Sequence, residues 1–171
     1  MAEFPKIDDK ASREELYDYA LEIACDYDTS SPRDRSVFFS SGQKTEATRY
    51  CQKMGDGHLT VCMTPALIAF DRLNLFRRGD FHYTEIFEFG DVISKRFADE
   101  ASGNVTAFVG AKSKATGTFR RVELPALLVN PNVLTINEEP KENYLSMLTP
   151  EQRFTLESQL NNAGLNSSPE I

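Results

Sequence analysis

Apolar side chains recur at three- and four-residue spacing in two long stretches of the chain, which is the pattern of an amphipathic helix. The first stretch follows Ser12 and Glu15, which form a capping-box pair, and it predicts a helix over 12–26. The second stretch predicts a longer helix in the middle of the chain, with Gly103 where a helix end is expected. The apolar face of this second helix consists of Ile86, Phe89, Ile93 and Phe97.

Two short apolar runs lie between these helices. The run from Val37 to Ser40 predicts a buried strand, and "HLTVCMT" at 58–64 predicts a second one. The segment between them has a helical apolar face made of Ala47, Tyr50, Cys51 and Met54. A strand, a helix and a strand of these lengths most often form a right-handed βαβ unit, so we expect the two strands to lie parallel in one sheet.

The last third of the chain is richer in strand patterns. Strands are predicted over 104–110, 118–124 and 132–136. Thr149 and Gln152, on either side of Pro150, supply the start signals of a C-terminal helix near 150–162. We therefore expect a mixed α/β fold, with α+β as the alternative, in which helices flank a small mixed sheet and a helix stands at each end of the chain.

The length of 171 residues suits one domain, and a hydrophobic content of 40% with twelve Phe is enough to build its core. We expect residues 1–148 to form a single α/β domain that includes the N-terminal helix. Residues 149–171 are expected to add the C-terminal helix and a frayed tail.

Charge and cysteine content narrow the range of functions. The formal net charge is −7 and no run of Lys and Arg exceeds two residues, which argues against a nucleic-acid partner and against an anionic membrane. Three cysteines cannot all pair with one another, which favours a reduced, intracellular protein. The start "MAEFPKIDDK" lacks the apolar core of a signal peptide, and no apolar stretch reaches membrane-spanning length. We therefore expect a soluble protein that is either cytoplasmic or delivered into a host cell.

The first candidate for chemistry is Ser40-Ser41-Gly42, which follows a predicted strand and precedes a predicted helix. In α/β sheets ligands collect at this end of the strands, where hydroxyls and helix N-terminal amides can hold a phosphate or a ribose. A purely structural alternative is that Ser40 caps the helix and Gln43 completes a capping box.

The second candidate is Glu123, at the end of a predicted strand and next to Arg120 and Arg121. Glycosidic-bond cleavage passes through an oxocarbenium-like state, which a fixed carboxylate stabilises. The alternative is an ordinary surface acid paired with these arginines. Ser94, at the edge of the apolar face of the middle helix, either reaches into a cleft or rests at the margin of the core.

Other chemistries have weaker signals. The spacing of Cys51, His58 and Cys62 matches no standard zinc site, so we expect no metal and no cofactor. Glu88 and Asp91, three residues apart in "TEIFEFGD", indicate a solvated acidic face. A nuclease would need a compact cluster of acids with Lys or His, and the sequence has no convincing one.

Three motifs occur in an order that resembles a loosely defined group of toxin or effector domains in bacterial secretion-associated and fungal proteins. They are "FFSSG", "SKRFADEASGNV" and "VELPALLVNPNV", and the resemblance covers about residues 35–137. It implies a catalytic domain that is delivered into a host cell and acts on NAD or another nucleotide. The positions that match the group are Ser41, Gly42, Ser94 and Glu123.

The resulting hypothesis is an enzyme that cleaves or transfers at the N-glycosidic bond of NAD or a related nucleotide, with NAD as substrate. Ser41 and the amides near Gly42 would hold phosphate or ribose, Ser94 would orient the substrate, and Glu123 would stabilise the ribosyl cation. Either of the two arginines before Glu123 would offset phosphate charge. The alternative is a non-catalytic acidic module, effector- or immunity-like, that docks on a host protein through its negative surface.

Overall fold

A five-stranded sheet organises residues 10–111 and 113–162, the part of the chain that this computed structural model describes. The strands are β1 (Ser36–Phe39), β2 (Leu59–Thr60), β3 (Gly103–Phe108), β4 (Val133–Ile136) and β5 (Glu139–Pro140). They lie in the order β2-β1-β3-β4-β5; the first four run parallel and β5 pairs antiparallel with β4. The predicted mixed α/β class is confirmed, and so is the parallel pairing of the first two strands.

Seven α-helices surround the sheet within the described residues. They are α1 (Arg13–Asp26), α2 (Lys44–Met54), α3 (Pro65–Arg72), α4 (Leu75–Arg78), α5 (Tyr83–Asp99), α6 (Leu124–Val129) and α7 (Pro150–Asn162). Three tighter or wider helical segments complete the structure: the 3₁₀ segments Val61–Met63 and Lys141–Met147, and the π-helical segment Phe119–Glu123. None of the helices in this part of the chain combines the length and the apolar character that crossing a bilayer requires.

The predicted starts of the first and last helices are confirmed, because side chains cap both N-termini. Ser12 Oγ accepts a hydrogen bond from the Glu15 amide and starts α1. At α7, Thr149 Oγ1 accepts from the Gln152 amide while Gln152 Oε1 accepts from the Thr149 amide, which is a complete capping box. The predicted frayed tail at 163–171 lies outside the described residues.

The core lies where α5 crosses the central strands. Its four predicted apolar residues are all buried, and Phe97 packs on Phe38 of β1 with ring centroids 5.0 Å apart. Asn130 closes the other end of the helix: its amide nitrogen donates to the carbonyls of Ala98, Asp99 and Ala101. The helix that carries Ser94 is therefore fixed both along its face and at its C-terminal end.

The strand predicted over 118–124 is wrong, because these residues form the π-helical segment and the first residue of α6. The Leu124 amide donates to the Phe119 carbonyl, five residues back, and Phe119, Glu123 and Leu124 all face the interior. Pro125 stands in the first turn of α6, where a missing amide costs little.

Two other boundaries differ from the prediction. The strand at 58–64 shortens to two residues because Thr64 caps α3: its hydroxyl donates to the Val61 carbonyl and accepts from the Leu67 amide. Gly103 opens β3 instead of ending the middle helix. It has φ +76°, and a β-carbon there would lie 2.0 Å from Asp34 Oδ1, so the position requires glycine.

Candidate functional site

The sheet topology creates a crevice at the carboxyl end of β1. The chain leaves β1 through α2 to β2 on one side and later returns to β3 on the other side, so the connections diverge from this strand. Ligands in open α/β sheets bind at such a switch point, because no loop covers the gap between the diverging connections.

A cavity of about 180 Å³ opens beside this crevice. It is lined by Phe39, Ser41, Val61, Ser94, Thr118, Phe119 and Glu123. The structure thus brings Ser41, Ser94 and Glu123, which the sequence singled out in three separate motifs, onto one cavity.

The Glu123 carboxyl is the chemically unusual group in the cavity. Glu123 is only 4% exposed, and its carboxyl makes no hydrogen bond or ion pair with any group in residues 10–111 and 113–160. Burial, together with the nearby negative charge of Asp91, raises the pKa of Glu123 to about 8. A carboxyl in this state is mostly protonated at neutral pH, and once ionised it attracts a neighbouring cation strongly because little water screens it.

Ser40, Ser41 and Gly42 have different environments although they are adjacent. Ser40 is buried, and its Oγ accepts a hydrogen bond from the Gly110 amide, so the predicted capping box with Gln43 is wrong. Ser41 is exposed on the cavity and lies near Gly117, whose β-carbon, if present, would be 3.7 Å from Ser41 Oγ. Gly42 has φ +86° and forms the turn into α2; it does not line the cavity.

Arg120 and Arg121 point away from Glu123, so the alternative of a surface acid paired with these arginines is wrong. The Arg120 guanidinium donates to the carbonyls of Met147 and Ser113. The guanidinium of Arg121 forms a two-pronged ion pair with Asp91. Both arginines belong to the segment that carries Glu123, but their charges are engaged elsewhere.

A larger groove lies on the other side of the same segment. It has a volume of about 720 Å³ and runs between α5, α6 and α7, with Val92, Arg121 and Leu156 among its lining residues. The π-helical segment therefore separates two depressions, and only the smaller one contains the buried acid.

Sequence reasoning missed four of the cavity residues: Phe39, Val61, Thr118 and Phe119. Val61 follows directly after β2, so the rule that sites collect at the carboxyl ends of parallel strands would have found it. Thr118 and Phe119 follow the loop after β3, where the sequence pattern predicts a strand and the structure has a helical segment.

Metal ligands do not come together in the described ranges: no three His, Cys, Asp or Glu side chains lie close enough to hold an ion. Cys51 is buried in a small cluster with Val37 and Ala47, and Cys62 is half-buried. Burial raises the pKa of the Cys62 thiol, and the charge of the nearby Glu123 adds to the effect.

No protein-family model matches the chain, and no curated protein matches its sequence. Solved structures do share its fold. Porcine CD38 complexed with a covalent intermediate, ribo-F-ribose-5'-phosphate, has a TM-score of 0.51 and 24% sequence identity over 89% of this chain and 72% of that chain. A second CD38 structure, described as evidence for a conformationally flexible covalent enzyme–substrate complex, has a TM-score of 0.51 and 20% identity over 92% and 70%.

An ADP-ribosyl cyclase with one glutamate replaced by alanine has a TM-score of 0.52 and 16% identity over 96% of this chain and 89% of that chain. At these identities the comparisons establish architecture. The chain has a fold similar to that of CD38 and ADP-ribosyl cyclase.

Proposed function

We propose that this protein is an enzyme that breaks the N-glycosidic bond of NAD or a related nucleotide and transfers the ribosyl group to water or to another acceptor. The observation that carries the proposal is the buried, unpaired Glu123 carboxyl, which shares a cavity with the hydroxyls of Ser41 and Ser94. The fold likeness supports it, because a structure with a similar fold is porcine CD38 complexed with a covalent intermediate, ribo-F-ribose-5'-phosphate.

Glu123 would act on the positive charge that develops at the ribose carbon as the base departs. The low-polarity surroundings that raise its pKa to about 8 also strengthen its attraction for a cation. A nucleotide with a cationic pyridinium base would itself favour the ionised form when it enters, since an opposite charge lowers the pKa of a carboxyl. The carboxylate would then face the bond to be broken.

The cavity would enclose only part of the substrate. Its volume of about 180 Å³ is below the roughly 300–1,000 Å³ typical of pockets that enclose a whole small ligand. We place the ribose and its base inside, with Ser94 orienting them, and the phosphates outside, next to Ser41 and the amides that follow Gly42. Lys44, the first residue of α2, supplies a positive charge at this end.

The test is nucleotide consumption by the wild-type protein beside Glu123→Gln. We expect loss of the carboxylate to lower kcat by at least about 100-fold, as expected for removal of a group that stabilises transition-state charge. Glu88→Gln is the matched control, because Glu88 is exposed on α5 and outside the cavity lining. Equal turnover by wild type and Glu123→Gln would remove Glu123 from the mechanism, and no turnover of any nucleotide would end the proposal.

The non-catalytic alternative has one observation in its favour. Phe76, Tyr83 and Phe87 are 55%, 66% and 58% exposed and contact one another, so they form an aromatic patch of the kind that docks on partner proteins. A thermal-shift screen separates the two ideas. Stabilisation by nucleotides that grows with their concentration favours the enzyme, whereas no shift with any nucleotide favours the docking module. A toxin or effector role would require delivery into a host cell and remains a prediction.

A further inference from the structure

Asp91 and Arg121 connect the two structural elements that carry Ser94 and Glu123. Arg121 Nη1 lies 2.6 Å from Asp91 Oδ2, and Nη2 lies 2.8 Å from Asp91 Oδ1, which is the forked geometry of a strong guanidinium–carboxylate pair. Arg121 is two residues before Glu123 on the π-helical segment, and Asp91 is one turn before Ser94 on α5. One ion pair therefore joins the segment that carries Glu123 to the helix that carries Ser94.

The π-helical segment needs such external ties. Its hydrogen bonds span one residue more than those of an α-helix, a rare form that surrounding contacts must maintain. On the C-terminal side, Arg120 donates to the Met147 carbonyl, and the side chain of Gln152 donates to the Arg120 carbonyl. The pair with Asp91 is the hydrogen-bonded tie that, among the described residues, holds this segment to the helix bearing Ser94.

We propose that the Asp91–Arg121 ion pair is a positioning pair for the reaction: it holds the segment that carries Glu123 and the helix that carries Ser94 at a fixed separation across the cavity. This inference rests on the proposed function for its kinetic consequences. The inference also predicts how each charge of the pair affects the pKa of Glu123, and this pKa can be measured even in a protein that has no activity.

The charged groups around Glu123 predict how its pKa should change when either member of the ion pair is replaced. Two titratable groups on other elements lie near Glu123: Asp91 on α5 and Cys62 in the 3₁₀ segment after β2. The π-helical segment that carries Glu123 also carries Arg120 and Arg121. Burial and Asp91 raise the pKa of Glu123, while the hydrogen bonds to Asp91 raise the pKa of Arg121. Asp91→Asn removes the negative charge and leaves the arginine, so it should lower the pKa of Glu123. Arg121→Gln leaves the negative charge uncompensated and should raise it.

The two substitutions thus break the same ion pair but should shift the pKa of Glu123 in opposite directions. If the ion pair only stabilised the fold, both substitutions would have the same effect. The experiment measures kcat against pH for wild type, Asp91→Asn, Arg121→Gln and the double variant. We expect the midpoint of the alkaline rise in kcat to move to lower pH in Asp91→Asn and to higher pH in Arg121→Gln. Plateau kcat should fall about 10- to 100-fold in both, with a smaller change in KM, because the reacting groups are misplaced. The double variant should lose no more than the worse single one.

The control is Lys95→Gln, which breaks the exposed Lys95–Asp99 pair on the same helix and should leave the midpoint and kcat unchanged. A second readout does not need activity. The difference in unfolding free energy between each variant and the same variant with Glu123→Gln, followed over pH, reports the ionisation of Glu123 in the folded protein. Shifts in the same direction, or no shift, overturn the inference. Opposite shifts without turnover of any nucleotide support the electrostatic arrangement while ending the proposed function.

Discussion

Glu123 should make a contribution to the stability of the folded protein that decreases as pH rises. In the unfolded chain this carboxyl ionises near its ordinary pKa of 4.5, whereas in the folded protein burial raises the pKa to about 8. Between these values the folded state holds a proton that the unfolded state has lost. The contribution of Glu123 to the unfolding free energy therefore falls with increasing pH in this window and does not change with pH below it.

The size of the effect follows from the two pKa values. Each pKa unit corresponds to about 1.36 kcal/mol, so the difference in stability between Glu123→Gln and wild type should grow by roughly 3 kcal/mol between pH 4.5 and pH 7. Above pH 8 the growth should stop, at a total of at most roughly 5 kcal/mol. The glutamine has no charge to bury, so its own stability should not follow this curve.

Urea unfolding of both proteins at several values between about pH 5 and pH 9 measures the difference directly. The buried glutamine amide can add a constant offset, so the slope of the difference against pH is the decisive quantity. Glu88→Gln, at an exposed position on α5, should give a flat difference. A flat line for Glu123→Gln as well would show that the carboxyl is not desolvated in the folded protein, and the electrostatic argument for the site would be lost.

Two backbone-related predictions can be checked by the same urea measurements. Ser40→Ala should lower the unfolding free energy by about 1–3 kcal/mol, because the Gly110 amide loses its acceptor; an unchanged midpoint would contradict this role. Gly103→Ala should destabilise the protein by more than about 1 kcal/mol, since Gly103 combines a positive φ with a close approach to Asp34. Gly90→Ala in α5 should instead stabilise it by about 0.8–1 kcal/mol, because alanine favours a helix more than glycine does and nothing lies within 4 Å of the new β-carbon. A loss of stability in Gly90→Ala equal to that in Gly103→Ala would refute the steric argument.

The long helices were predictable because their signals are local and repeated. In α5 four apolar residues share one face over more than three turns, and at α7 Thr149 and Gln152 mark the start. The segment at 118–124 offered no such repetition. Its inward residues Phe119, Glu123 and Leu124 do not follow the two-residue period of a strand, and one of the three is an acid, so they give no run of apolar positions to read; packing against α5 and β1 decides the form of the segment.

The cavity was partly predictable for a similar reason. Ser41 follows a strand, and the rule for parallel sheets places it at a binding edge whatever the rest of the chain does. The pairing of Asp91 with Arg121 joins residues thirty positions apart on two helical segments, and no local pattern encodes it. Asp91 was expected on a solvated acidic face; its side chain is instead only 27% exposed and paired.

The parallel pairing of β1 with β3 has a consequence for how the protein reaches its working form. Val37 and Thr106 are partners in the sheet although almost seventy residues separate them in the chain. Forming contacts between residues so far apart in the chain costs loop-closure entropy before the contacts stabilise the fold, and this slows folding relative to helical bundles of the same size. The cavity residues are equally dispersed, from Phe39 to Glu123, so a nascent chain cannot form the cavity until Glu123 has been synthesised. A fragment that stops earlier contains the serines without the acid.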